Sequence, residues 1–157
     1  MDPDRFHYST ENCSIARTLD IVGEKWTLLV LREAFYGVRR FADFHRAIGC
    51  ARNILSARLR TLVDEGILTR EPYQEPGRRH RFEYRLTEKG IGLFTALVAL
   101  MHWGDRYVAD DMGPAAILSH RDCREPLRVE LRCAAGHGPL SAREAEVIPG
   151  PGARGAA

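Results

Sequence analysis

Four side chains in one stretch, Arg52, Asn53, Ser56 and Arg60, fall on a helical face that Leu55, Leu59 and Leu62 do not occupy. Arginine, asparagine and serine hydrogen-bond to base edges and to phosphate oxygens. The chemistry they predict is recognition of double-stranded DNA rather than catalysis. Arg58 sits closer to the leucine face and is expected to be less exposed, binding phosphate or pairing with an acid. Arg78, Arg79 and Arg81 follow a Pro76-Gly77 turn and would make a basic hairpin tip. Arg40 stands just before the helix that precedes the reader. For any single arginine, solvated surface charge is the competing account.

A second set could hold a metal. His120, Cys123, Cys133 and His137 form His-x2-Cys-x9-Cys-x3-His, with ligand types and spacings suited to structural zinc. Leu127, Val129 and Leu131 alternate with Arg128, Glu130 and Arg132, so a strand that needs no metal is the competing account. Glu144–Ile148 could pair with it, or Ser141-x-x-Glu144 could be a capping box. Apart from that zinc, no cofactor is expected. Cys13 lies at the start of a predicted helix, where partial positive charge favours a reactive thiolate. A small buried side chain near an interface accounts for it as well.

Nothing supports an enzyme. There is no nucleotide-binding glycine loop, no nucleophile elbow and no metal helix carrying two histidines, and the six histidines are scattered.

The elements that position these residues follow from periodicity. A short helix is predicted over Ser14–Val22 and broken by Gly23. An almost wholly apolar helix from Trp26 follows, to be buried, and Gly37 ends it. Phe41, Phe44, Ala47 and Ile48 mark a third helix, Ala51–Glu65 a fourth, and Gly66 stops it. Strands are predicted at Ile67–Tyr73 and Arg81–Leu86, with Phe82, Tyr84 and Leu86 on one face. Thr87 should cap a long helix running to about Tyr107. The fold class is mainly α with a small β-hairpin, an α+β arrangement.

A chain of 157 residues at 45% hydrophobic fits one domain with extensions. The net charge of +2 hides an uneven distribution: between Arg39 and Arg85 stand 11 arginines and 6 acids. That basic middle suits a polyanion partner. No apolar run is long enough for a bilayer, and the first residues lack a secretion pattern, so no membrane partner and a cytoplasmic location are expected. Four separated cysteines make no disulfide framework. The expected organisation is a flexible arm over 1–11, a DNA-binding and dimerising domain over 12–110, an extension with a β-hairpin over 111–148, and a disordered tail over 149–157.

Several motifs together resemble the HxlR family of winged helix-turn-helix regulators, relatives of the MarR group. They are Gly23-x-x-Trp26-Thr27, Gly37-x-x-Arg40-Phe41-x-x-Phe44, Leu55-x-x-Arg58-Leu59-x-x-Leu62, Glu65-Gly66-Ile67-Leu68 and Glu83-Tyr84-x-Leu86-Thr87-x-x-Gly90. Each is weak alone, but their order is specific. The resemblance implies a homodimer built on the first and last helices, bound as a repressor or activator to pseudo-palindromic promoter DNA. Ile15, Leu19, Leu97, Leu100, Met101, Trp103 and Tyr107 are the interface candidates. It also implies, for some members, an oxidant-sensing cysteine at the place of Cys13. Long members carry a Cys-x2-Cys-Gly knuckle in the tail, whose second cysteine is absent from Cys133-Ala134-Ala135-Gly136-His137. Cys50 also departs from the pattern, where a serine-like cap is expected. No residue set marks a small-molecule effector. The rival function is a protein-interaction module without specific DNA binding.

Overall fold

A computed structural model describes Ser9 and residues 11–74 and 80–154. They form two compact units: the chain up to Phe94 together with the residues from Gly152 onward, and Thr95–Pro151. Pro76, Gly77, Arg78 and Arg79, and most of the expected N-terminal arm, lie outside the described residues.

The first unit contains α1 (Ser14–Val22), α2 (Lys25–Phe35), α3 (Phe41–Ile48), α4 (Arg52–Asp64), β1 (Leu68–Tyr73), β2 (Arg81–Leu86) and α5 (Glu88–Ile91). Its core is built as the apolar spacing dictates. Thr27, Val30 and Leu31 of α2, Phe44 of α3 and Leu55, Leu59 and Leu62 of α4 are all buried. α2 packs against α3, α4 and β2 at the centre. Fully burying a leucine is worth roughly 1.5–3 kcal/mol, so the three leucines set which way α4 faces. Gly49 and Gly66 end α3 and α4 at φ 72° and 66°, a left-handed conformation that a Cβ disfavours.

β1 and β2 pair antiparallel, with Leu68 opposite Leu86, Arg70 opposite Tyr84 and Pro72 opposite Phe82. Phe82, Tyr84 and Leu86 therefore share a face, as expected. A third edge was not legible in the sequence. Arg40 forms an isolated antiparallel bridge with Glu83, and Tyr84 N–H donates to the Arg39 carbonyl at 2.7 Å. Two residues are too short a run to leave a periodic signature.

The single long helix expected from Thr87 is instead two. Thr87 Oγ accepts from Gly90 N–H at 3.1 Å and donates to the Gly66 carbonyl at 2.7 Å, which docks α5 on the joint between α4 and β1. A Cβ at Gly90 would lie 2.3 Å from the Ile67 carbonyl oxygen. The chain restarts as α6 (Phe94–Tyr107), whose first ring sits 5.1 Å from that of Phe35. Periodicity alone ran through the break because the apolar spacing continues across Gly92.

Thr95–Pro151 carries most of α6 and an irregular extension. Among the described residues, Leu127–Arg132 forms no strand and has no partner in Glu144–Ile148. β-pairing there is one bridge, Ser119 with Pro126, and the Leu140 N–H donates to the Leu131 carbonyl. Pro126 and Pro139 lack the N–H donors a ladder needs. Ser141 and Glu144 make the side-chain half of a capping box without a helix: the Ser141 N–H and Oγ donate to the carboxylate at 2.9 and 2.7 Å. Those two donors hold the Glu144 carboxyl below the usual range. In the expected tail, the Gly152 and Arg154 carbonyls accept from Asn12 Nδ2 and Ser9 N–H.

Candidate nucleic-acid interface

α4 begins at Arg52 after an Ala51 N-cap that offers no side-chain acceptor. Cys50, where a serine-like cap was expected, is instead buried in the core at 4% exposure. Among the described residues no N-cap side chain serves the first turn of α4, and a helix start without such a cap favours an anion. Arg52, Asn53, Ser56 and Arg60 are all exposed, while Leu55, Leu59 and Leu62 are buried behind them. At 100° per residue the four polar positions fall within about 100° of one another. One arc of the helix thus carries all four candidates.

Arg58 lies on the other flank of the leucine stripe and is partly buried, as expected. Its Nε is fully buried with no hydrogen-bond partner among the described residues. Its position separates it from the reading arc.

The hairpin arranges its cations by stacking and pairing. The Arg70 guanidinium lies 3.6 Å from the Phe82 ring centroid, and that of Arg40 lies 4.5 Å from the Tyr73 centroid. Glu71 stands directly opposite Glu83, a repulsive cross-strand pair. Arg85 bridges them, 3.0 Å from Glu71 and in contact with Glu83. The Glu83 hydrogen bond, above all, raises the Arg85 pKa further above its ordinary value. Arg85 is thus structural. Arg81 is exposed at the start of β2, and Arg78 and Arg79 lie outside the described residues. Sequence reading missed Arg39 and Arg46, which with Arg40 line a shallow concavity beside α3. Arg46 is paired with Asp43 at 2.8 Å. The doublet before Phe41 was the available signal for Arg39.

The model for the HxlR-like helix-turn-helix matches residues 21–112. The chain belongs to the HxlR family. This HxlR protein is 48% identical over 142 residues to the uncharacterised HTH-type transcriptional regulator Rv3095 of Mycobacterium tuberculosis, covering 90% of this chain and 89% of that one. It is 34% identical to a similarly described regulator, sll1512 of Synechocystis, over 68% of this chain and 78% of that one. Among solved structures, PA1607, provisionally assigned as a transcription factor, superposes with a TM-score of 0.78 at 40% identity, covering 88% of this chain and 95% of that one. The redox regulator HypR in its oxidised form matches with a TM-score of 0.54 at 32% identity, covering 59% and 94%. The chain is a transcriptional regulator with a DNA-binding helix-turn-helix, not an enzyme. The hairpin is the wing, and α3 and α4 are the helix-turn-helix. Among the described residues no helix is long and apolar enough to cross a membrane.

The other candidates stand on α1, on α6 and in the extension. Cys13 is the half-buried N-cap residue of α1. In the extension, His120 Nδ1 lies 3.3 Å from Cys123 Sγ, and Cys133 Sγ lies 3.4 Å from His137 Nδ1. Each pair closes across its own turn. Among the described residues no three histidine, cysteine or carboxylate side chains group as a metal ion requires. Of the interface candidates, Ile15, Leu19, Leu100, Trp103 and Tyr107 are exposed, with Ile15 at 73% and Trp103 at 59%. Leu97 and Met101 are half-buried.

Proposed function

We propose that this regulator is a homodimeric repressor that binds pseudo-palindromic promoter DNA. α4 enters the major groove and the wing lies along the flanking backbone. The observation that carries the reading is the division of α4: its leucines are buried while Arg52, Asn53, Ser56 and Arg60 are all exposed on one arc. Arg52 and Asn53, at the helix start, read bases; Ser56 and Arg60 follow along the groove. Arg40, Arg78, Arg79 and Arg81 contact phosphates, whereas Arg58, partly buried on the other flank of the leucine stripe, lies off that surface. Ile15 and Leu19 of α1, with Leu100, Trp103 and Tyr107 of α6, expose more apolar surface than a monomer keeps in water, which supports pairing through these helices. Sedimentation of the free protein, with equilibrium binding to a promoter fragment at several salt concentrations, tests both parts. A dimer with steeply salt-dependent affinity is expected. A monomer, or association with DNA that ignores salt, contradicts the reading.

A redox response through Cys13 is a second reading. It is favoured by the likeness to HypR and by the position of Cys13 at a helix start whose first turn holds no acid. Peroxide or a quinone should weaken DNA binding by wild type and leave Cys13→Ser unchanged. Equal responses from the two proteins end this reading.

A further inference from the structure

A cavity of about 390 Å³ opens in the first unit between α1, the start of β1 and α5. Its wall is chemically divided. Ile21, Val22, Ile67 and Leu93 supply aliphatic surface, Ser14 and Thr18 supply hydroxyls, and Arg17 and Lys89 supply cations. Among the described residues no acidic side chain lines it. Arg17 hydrogen-bonds at 3.0 Å to the Asn12 side-chain oxygen, a neutral acceptor that leaves its charge uncompensated. Lys89 is held in place by donating to the Glu65 carbonyl at 2.6 Å, with the Glu65 carboxylate 3.9 Å away. A pocket of a few hundred Å³ with an apolar body and a few convergent polar groups is what a small ligand needs.

We infer that this cavity binds a small hydrophobic monocarboxylate as an effector. The carboxylate would take charge-assisted hydrogen bonds from Arg17 and Lys89, and its hydrocarbon body would cover Ile21, Ile67 and Leu93. The position gives the ligand leverage on DNA. The Ile67 N–H donates to the Leu62 carbonyl at 2.9 Å, and its own carbonyl accepts from the Thr87 N–H at 3.1 Å. Ile67 is thus the joint between the recognition helix and the wing, and a ligand seated on it bears on their relative setting. The site also fits the proposed dimer. Ser14, Arg17, Thr18 and Ile21 recur at helical spacing on the cavity side of α1, whereas Ile15 and Leu19 project from another side.

The binding claim is independent of the DNA reading; only the effector role rests on it. Isothermal titration of the full chain with octanoate, octanamide and acetate tests the site without DNA. Octanoate should bind, while octanamide, lacking the charge, and acetate, lacking the body, should bind at least ~10-fold more weakly. Arg17→Gln should weaken octanoate ~10-fold or more with an unchanged melting temperature. Lys89→Gln serves as the second variant. Octanamide binding as tightly as octanoate, octanoate affinity unchanged in both variants, or no heat at all, overturns the site. Octanoate that binds as described but leaves promoter affinity unchanged overturns the effector role alone. Failure of the free protein to bind promoter DNA counts against the proposed function and not against the pocket.

Discussion

Arg40 pairs with Glu83 across an isolated antiparallel bridge, so the residue that begins the helix-turn-helix is also part of the wing sheet. The same residue stacks its guanidinium 4.5 Å from the Tyr73 ring. Helix-turn-helix and wing are therefore not two parts joined only through α4. They share an edge, and the Arg40 guanidinium is fixed at the seam.

Arg40→Ala should weaken binding to all DNA sequences alike and reduce the salt dependence by about one unit of slope. Measuring affinity against salt for wild type and variant checks this. An unchanged slope would take Arg40 out of the phosphate-binding set.

Arg52→Ala should behave differently, because it stands at the exposed start of α4. Loss of a bidentate base contact costs about 1–3 kcal/mol at one operator position and relaxes preference there. A panel of operators varied one base at a time reads this out. A uniform loss across the panel would make Arg52 a phosphate contact.

The glycines give opposed predictions for stability. At Gly90 an added Cβ meets the Ile67 carbonyl oxygen at 2.3 Å, so Gly90→Ala should cost roughly 1–3 kcal/mol or more by forcing α5 off the joint. At Gly104, inside α6, the nearest atom is a Val108 methyl at 3.8 Å. Gly104→Ala should stabilise by up to about 1 kcal/mol through helix propensity. Urea denaturation of both variants checks the pair; equal effects would show that the close approach at Gly90 does not matter.

The two faces of α4 were legible in the sequence because their signals are local. Leucine spacing fixed which way α4 faces, glycines marked its end, and alternation placed Phe82, Tyr84 and Leu86 together. What escaped was set by contacts between distant segments. The bridge from Arg40 to Glu83 involves two residues forty-three positions apart and has no period. The break between α5 and α6 comes from a backbone approach to Ile67, which apolar spacing does not encode. In the extension, alternation from Leu127 to Arg132 promised a strand, but prolines and short returns leave it no ladder to join.

The histidines and cysteines of the extension stand as two local pairs. Each His-Cys pair closes on itself, at 3.3 and 3.4 Å. We expect purified protein to carry well under one zinc per chain and to keep its melting temperature in chelator. One zinc per chain, with unfolding of the extension on chelation, would restore the four-ligand site.

The most direct test of the account is footprinting of the purified protein on the DNA upstream of its own gene. Protection of two half-sites related by a pseudo-two-fold, with centres one helical turn of about 34–36 Å apart or a multiple of it, is the expected pattern. It should weaken steeply with salt and lose sequence preference in Arg52→Ala. No protected segment on that DNA, or protection spread evenly along it without half-sites, would contradict the claim that α4 reads a specific operator.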